Sequence, residues 1–174
     1  VARSAWICRS YLDKTVNTEY YYELLAKHGP THKAVDCGSD YSHRLRLQVI
    51  TAMIPDIRHT ILDVGCGLGH LIDYGYGLTK AGYHVVDVLP EMIKVARARR
   101  PDWHFEVGDI NHHQERWRAD YVVASGLFQF AEAGAIERAL TTMYQLCRRA
   151  VAANFLRQGD AKESVVSPLA MLRV

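Results

Sequence analysis

Apolar positions recur along this chain with two different periods. Up to about residue 56 they fall at helical intervals. Tyr20, Tyr21, Leu24 and Leu25 share one face of a segment from Val16 to Lys27, which Gly29-Pro30 ends. Leu45, Leu47, Val49, Ile50 and Met53 predict a second helix, stopped by Pro55. From Thr60 onward, short apolar runs replace these stripes. Thr60–Val64 ends in glycines and fits a strand buried on both faces. Tyr83–Val88 is the second strand. Trp103–Val107 alternates strictly, so one of its faces is wetter and this third strand belongs at or near a sheet edge. Tyr121–Ala124 and Val151–Leu156 are the fourth and fifth.

Helical stripes separate these runs. Pro90 and Glu91 open a helix with Met92, Val95 and Ala96 on one side. Ile136, Leu140, Met143 and Cys147 form an amphipathic stripe that packs against a sheet. Gly75 and Gly77 interrupt the helix expected after the first strand, at a cost of about 1 kcal/mol each relative to alanine. Strands alternating with helices imply a parallel sheet with right-handed crossovers.

A chain of 174 residues suits one domain, read as a helical lid or substrate-side extension at 1–56 and a core at 57–174. Net charge is +2, so no whole-molecule field draws in nucleic acid or an anionic membrane. The local cluster Arg97, Arg99 and Arg100 reads as a solvated helix face. Cys8, Cys37, Cys66 and Cys147 form no C-x-x-C pair. They suggest neither a zinc site nor a disulfide framework, but reduced thiols in a cytoplasmic protein. No apolar run reaches the roughly 18 residues of a membrane helix, and the N-terminus lacks a signal-peptide core.

The candidate chemistry begins at Asp63-Val64-Gly65-Cys66-Gly67-Leu68-Gly69, directly after the first strand and before a helical stretch. Glycines let a backbone turn sharply and approach a ligand, and the helix start beyond offers free N–H groups. Asp87 ends the second strand. An acid about 20 residues after such a loop grips a ribose diol in this architecture. The competing reading of Asp87 is a cap for the helix at Pro90. Asp109 follows the third strand, where it could accept from an exocyclic amine of adenine or merely stabilise its own loop through an Asx turn. A dinucleotide fingerprint would read G-x-G-x-x-G. Here His70 stands where the third glycine belongs, which favours a cofactor without a pyrophosphate.

Ile61-Leu62-Asp63-Val64-Gly65-Cys66-Gly67-Leu68-Gly69 resembles the first motif of class I S-adenosylmethionine-dependent methyltransferases. Asp87 with Pro90-Glu91-Met92 resembles their second-strand motif, Gly108-Asp109-Ile110 the adenine-contacting motif, and Asp120 to Phe128 the fourth-strand motif. The resemblance spans about Thr60 to Leu156. It implies an α/β, Rossmann-like three-layer sandwich whose mostly parallel sheet has the order 3-2-1-4-5, with a helical N-terminal lid. Family sheets usually carry seven strands and close in an antiparallel hairpin. Here the last two family strands are not evident, and the core is expected to be C-terminally incomplete. The cofactor implied is S-adenosylmethionine. The Gly65, Cys66, Gly67 and Gly69 loop would hold its methionine part, Asp63 its amino group, Asp87 the ribose and Asp109 the adenine. Val88, Met92 and Ile110 would pack beside the ring, and Ser125 would stand at the ligand end of the fourth strand.

The N-terminal part is similar to a subset of small bacterial methyltransferases with Tyr-Tyr, Ala-x-x-His-Gly and Val-Asp-Trp-x-Ser. These stand here as Tyr21-Tyr22, Ala26 to Gly29 and Val35 to Ser39, with Cys37 replacing the tryptophan. Base candidates are His28, His32, His43, His112 and His113, and Tyr20, Tyr21 and Tyr22 could line an acceptor pocket; His28 and Tyr21 are the catalytic candidates among them. Ser125-Gly126-Leu127-Phe128 lacks both the Pro-Pro-aromatic and the Pro-Cys signatures of DNA methyltransferases. The expected partner is therefore a small molecule methylated on oxygen or nitrogen, with no DNA, metal or membrane. A protein or RNA methyltransferase, and a silent cofactor-binding scaffold, remain as alternatives.

Overall fold

The computed structural model describes residues 18–55, 58–75, 77–112, 114–129, 131, 133–155 and 170–173. The first helix is α1 (Thr18–His28), whose predicted start at Val16 lies outside the described residues. Gly29 ends it at φ 60°, with its N–H on Leu25 O. A single 3₁₀ turn, His32–Val35, leads to α2 (Asp40–Ala52). The sequence stripe starts later than this helix does. Its true start is set by Ser39, which accepts the Ser42 N–H as an N-cap.

The remaining elements are β1 (Ile61–Val64), α3 (His70–Tyr74), β2 (Tyr83–Asp87), α4 (Pro90–Arg99), β3 (Phe105–Val107), β4 (Ala119–Ala124), α5 (Ala133–Leu146), β5 (Cys147–Ala153) and β6 (Ala170–Arg173). The sheet runs β3-β2-β1-β4-β5-β6. Its first five strands are parallel, in the expected order, and β3 is the edge. β6 corrects the expectation that no later strand is evident: Ala170–Arg173 pairs antiparallel with Ala150–Ala153. Four residues are too few to show a period in sequence.

Alternate strand residues feed two cores. Leu62, Val64, Val86, Val122 and Val151 face Met143 and Leu146 of α5. Ile61, Val85, Tyr121, Val123 and Ala152 face Leu47 and Ile50 of α2, Leu71 of α3 and Ile93 of α4. A third cluster, of Ala34, Leu68, Leu89 and Met92, is covered by Tyr21, Tyr22 and Leu25 of α1. At the end of the sheet away from the glycine loop, Asp120 accepts both the N–H and the hydroxyl of Thr60, pinning β1 to β4.

Two boundaries differ from the sequence pattern. Cys147, predicted on the helix, opens β5 opposite Ala119. Arg148 and Arg149 are exposed, so the first turn of that strand carries charges that mask its strand character. The glycine pair also has a physical account. α3 is only five residues long: the backbone turns extended at Gly75, where a Cβ would lie 2.5 Å from Leu71 O and 2.7 Å from Thr51 Cγ2 so that glycine is needed, and Gly77 sits at φ 71°. Leu156, the predicted end of the fifth strand, lies outside the described residues.

Candidate functional site

The carboxyl ends of β1, β2 and β4 open into a cleft of about 1020 Å3, counting its open mouth. Its floor is Asp63, Val64, Gly65, Cys66 and Gly67. Asp87, Val88 and Met92 form one wall, Gly108 and Ile110 the next, and Ser125, Gly126 and Leu127 a third. Tyr21, Val35, His43, Arg46 and Leu47 close it from the N-terminal helices. Parallel sheets present ligands with this end.

The glycine bend is real backbone chemistry. Gly65, Gly67 and Gly69 have φ of 69°, 52° and 71°, a region costly to other residues. A Cβ on Gly65 would fall 2.7 Å from Leu127 Cδ1, and one on Gly69 would fall 2.6 Å from Phe105 Cε1. The Gly65 and Cys66 N–H groups both donate to Val86 O, which fastens the loop to β2.

Asp87 is 7% exposed. Its Oδ2 accepts the Gly67 N–H at 2.7 Å and its Oδ1 the Leu89 N–H at 2.8 Å. Burial raises its pKa, while the backbone N–H groups of Leu89, Gly67 and Val88 pull it down. The cap at the start of α4 is Leu89, without a side-chain bond. Asp87 thus serves the helix entrance and the glycine loop at once, and neither sequence reading foresaw the second contact.

Asp63 also lies on the cleft, 4% exposed, with its Oδ2 accepting the Tyr83 hydroxyl at 2.5 Å. Burial pushes its carboxyl up to about 7, against the lowering effect of the Tyr83 hydrogen bond. Burial likewise drives the Cys66 thiol well above its ordinary pKa, so it stays protonated.

Of the residues singled out in sequence, Asp63, Gly65, Cys66, Gly67, Asp87, Val88, Met92, Ile110, Ser125, Tyr21 and His43 meet on this cleft, whereas the base candidates His32 and His112 and the rings of Tyr20 and Tyr22 do not line it. Nor do three others. Gly69 shapes the entrance to α3 from behind. Asp109 makes an Asx-type turn, its Oδ1 accepting from both Asn111 N and Nδ2 at 2.9 and 2.8 Å, although its neighbours Gly108 and Ile110 face the cleft. His28 ends α1 away from it. His113 lies outside the described residues. Tyr21 is held by Gln129, whose Nε2 donates to the phenol oxygen at 2.7 Å, and burial pushes its pKa up to about 12.

Sequence reasoning missed His70, Arg46 and Leu127. His43 Nε2 meets His70 Nδ1 at 2.9 Å, and His70 Nε2 meets Pro30 O at 3.3 Å. Arg46 Nη2 donates to Cys37 Sγ at 2.9 Å, so the cysteine that replaces the subset's tryptophan anchors a cleft arginine. The available signal was the spacing of His43, Arg46 and Leu47, one stripe of α2 that combines a core leucine with two polar groups.

The methyltransferase-domain family matches residues 61–150, just over half of the chain. The chain belongs to that family. Solved structures show the same fold. N-methyltransferase NodS from Bradyrhizobium japonicum, in complex with S-adenosyl-L-homocysteine, superposes with a TM-score of 0.62 at 17% identity, over 82% of this chain and 74% of that one. Magnesium protoporphyrin IX methyltransferase from Synechocystis, with bound SAM, gives 0.60 at 14% identity, over 86% and 74%. A TehB-like SAM-dependent methyltransferase from Corynebacterium glutamicum gives 0.54 at 24%, over 81% and 73%. No curated protein matches the chain significantly. Among the described residues no helix is long and apolar enough to cross a membrane, and no group of three His, Cys, Asp or Glu side chains could hold a metal.

Proposed function

We propose that this methyltransferase domain binds S-adenosylmethionine in the cleft and transfers its methyl group to an oxygen or nitrogen of a small molecule. One observation carries the reading. The buried Asp87 carboxylate stands beside the glycine bend on the same cleft as Ser125 and Ile110, so four separate stretches of sequence converge there. The residues fit the cofactor. Each Asp87 oxygen already accepts one N–H and keeps a second lone pair for a ribose hydroxyl. Val88, Met92 and Ile110 supply apolar surface for a flat base. Asp109 spends Oδ1 on Asn111, while its buried Oδ2 has no hydrogen-bond partner and can accept from the exocyclic amine of adenine, between the cleft residues Gly108 and Ile110.

The cofactor supplies an electrophilic methyl group with its own leaving group, so the protein's task is orientation and exclusion of water. Leu127 lies against Gly65, and both line the same cleft as Tyr21 and Ser125. Small-molecule transfer is supported by the lining. Among the described residues the only Lys or Arg on the cleft is Arg46, which is itself buried, whereas a protein or RNA substrate calls for a basic face beside the pocket. Two of the structural neighbours are an N-methyltransferase and a magnesium protoporphyrin IX methyltransferase, in keeping with small acceptors.

Calorimetric titration of the chain with S-adenosylmethionine and S-adenosylhomocysteine tests the first half. Binding is expected, with at least a tenfold loss in Asp87→Ala; unchanged affinity in that variant removes the ribose assignment. Labelled methyl transfer over metabolite pools tests the second half. Label that appears only in protein or RNA would replace the small-molecule reading, and label in no acceptor would favour the silent scaffold.

A further inference from the structure

Buried polar atoms usually find partners. Among the described residues, the buried side-chain atoms without one include His43 Nδ1 and Arg46 Nε. Both residues line the cleft, at 6% and 7% exposure. They are three positions apart on α2 and so share a face. Each is clamped at its other end: His43 through Nε2 on His70, Arg46 through Nη2 on Cys37 Sγ.

The polarity of the clamp follows from hydrogen-bond chemistry. The Pro30 carbonyl can only accept, so His70 Nε2 donates to it. Neutral His70 then presents a lone pair at Nδ1, and His43 Nε2–H must donate to that lone pair. This leaves His43 Nδ1 as a bare acceptor. Arg46 is the complement. It is a cation with an unused N–H, and among the described residues it makes no ion pair. A buried charge without a counter-ion is costly until an anion arrives.

One unused acceptor and one unused cationic donor side by side match an α-amino-acid zwitterion. Resting on the cofactor reading above, we infer that Arg46 and His43 recognise the methionyl end of the cofactor, Arg46 taking the carboxylate and His43 Nδ1 accepting from the ammonium. The carboxylate is the only anion of an adenosyl sulfonium, and Arg46 is the cation that awaits one. The position agrees, because His70 directly follows Gly69 and lines the same cleft as Gly65 and Gly67. Asp63, occupied at Oδ2 by Tyr83, shares the ammonium at most through its remaining lone pairs.

Truncating the ligand and the protein together tests this. The full chain is titrated calorimetrically with S-adenosylhomocysteine, its decarboxylated analogue and 5′-methylthioadenosine. The wild type is expected to bind the first at least tenfold more tightly than the second, the scale of a charge-assisted hydrogen bond. Arg46→Met should lose about that factor for S-adenosylhomocysteine and change little for the other two. His43→Phe should weaken the two ligands that keep the ammonium and leave 5′-methylthioadenosine unchanged. Equal weakening of all three ligands in Arg46→Met, or no discrimination by the wild type, overturns the assignment. The wild-type ratio needs no variant, so a ratio near one overturns the assignment even if Arg46→Met fails to fold. Arg46→Lys, which keeps the cation, then serves as the second variant and should retain most of the preference. A wild type that binds none of the three overturns the cofactor reading itself, and this inference with it.

Discussion

The Asp87 carboxylate is tied to Gly67 by a 2.7 Å hydrogen bond that reaches from the tip of β2 into the bend after β1. Two neighbouring strand ends are therefore locked together by the residue assigned to the ribose. The loop is pre-shaped, and the ligand need not pay the full entropy of ordering it.

That bond makes a stability prediction separate from any ligand. Asp87→Asn turns one acceptor into a donor that faces a backbone N–H, leaving either Gly67 or Leu89 unsatisfied in a buried site. The expected loss is about 1–3 kcal/mol in urea unfolding of the ligand-free chain. A variant as stable as the wild type would mean that water or loop movement satisfies the orphaned group.

Gly69→Ala should also destabilise, although this glycine does not line the cleft. Positive φ costs an alanine about 1–2 kcal/mol, and crowding the buried Phe105 ring adds a comparable amount. Thermal melting of Gly69→Ala beside Gly38→Ala checks this. Gly38 has no positive φ and open space around its Cβ position. Equal melting temperatures for the two variants would contradict it.

These two predictions also show what could be read in advance. The strands and the glycine bend were legible because fully buried parallel strands leave short apolar runs that end at their loops, as at Ile61–Val64, whereas their order in the sheet came only with the motif resemblance. Asp87 was legible by its separation from the glycines. What escaped depends on tertiary contact. Nothing in the sequence ties Cys37 to Arg46, or sets His43 on His70, since each pair is joined only when α2 folds over the glycine loop. Asp109 was legible by its place in the motif; what the sequence did not show is that its Oδ1 turns to Asn111 while its buried Oδ2 is left without a hydrogen-bond partner.

The buried Asp63 gives a pH prediction. Its pKa rises from 3.8 in the unfolded chain to about 7 in the fold, because burial disfavours the carboxylate. The folded state therefore holds this proton more tightly. Its stabilising contribution is complete below the unfolded value and is lost as pH rises through about 7. Asp63→Asn stays neutral throughout, so its stability relative to the wild type should climb between pH 4 and 7 and then level off, by a few kcal/mol in all. Denaturant titrations at three pH values check it; a difference that does not change with pH would show Asp63 to be ionised in the fold at every pH tested.

His43 predicts the opposite slope. Burial, followed by the nearby His70, Arg46 and His32, lowers its pKa from 6.5 to about 3, with Asp40 opposing. Between those values the unfolded chain takes up a proton that the fold refuses, so this group's contribution to stability is full above pH 6.5 and falls as pH drops toward 3. His43→Gln removes the titration while keeping a donor for His70 Nδ1. At pH 7.5 the variant should be the less stable protein. The gap should narrow on acidification, by at most about 1.4 kcal/mol per pH unit for a single proton. Because Asp63 acts in the reverse sense over part of the same range, the wild-type profile alone can look flat, and the difference between wild type and variant is the quantity to measure. Parallel pH profiles for the two proteins would mean that His43 takes up its proton in the fold as readily as in the unfolded chain, and would remove the neutral acceptor from the cleft.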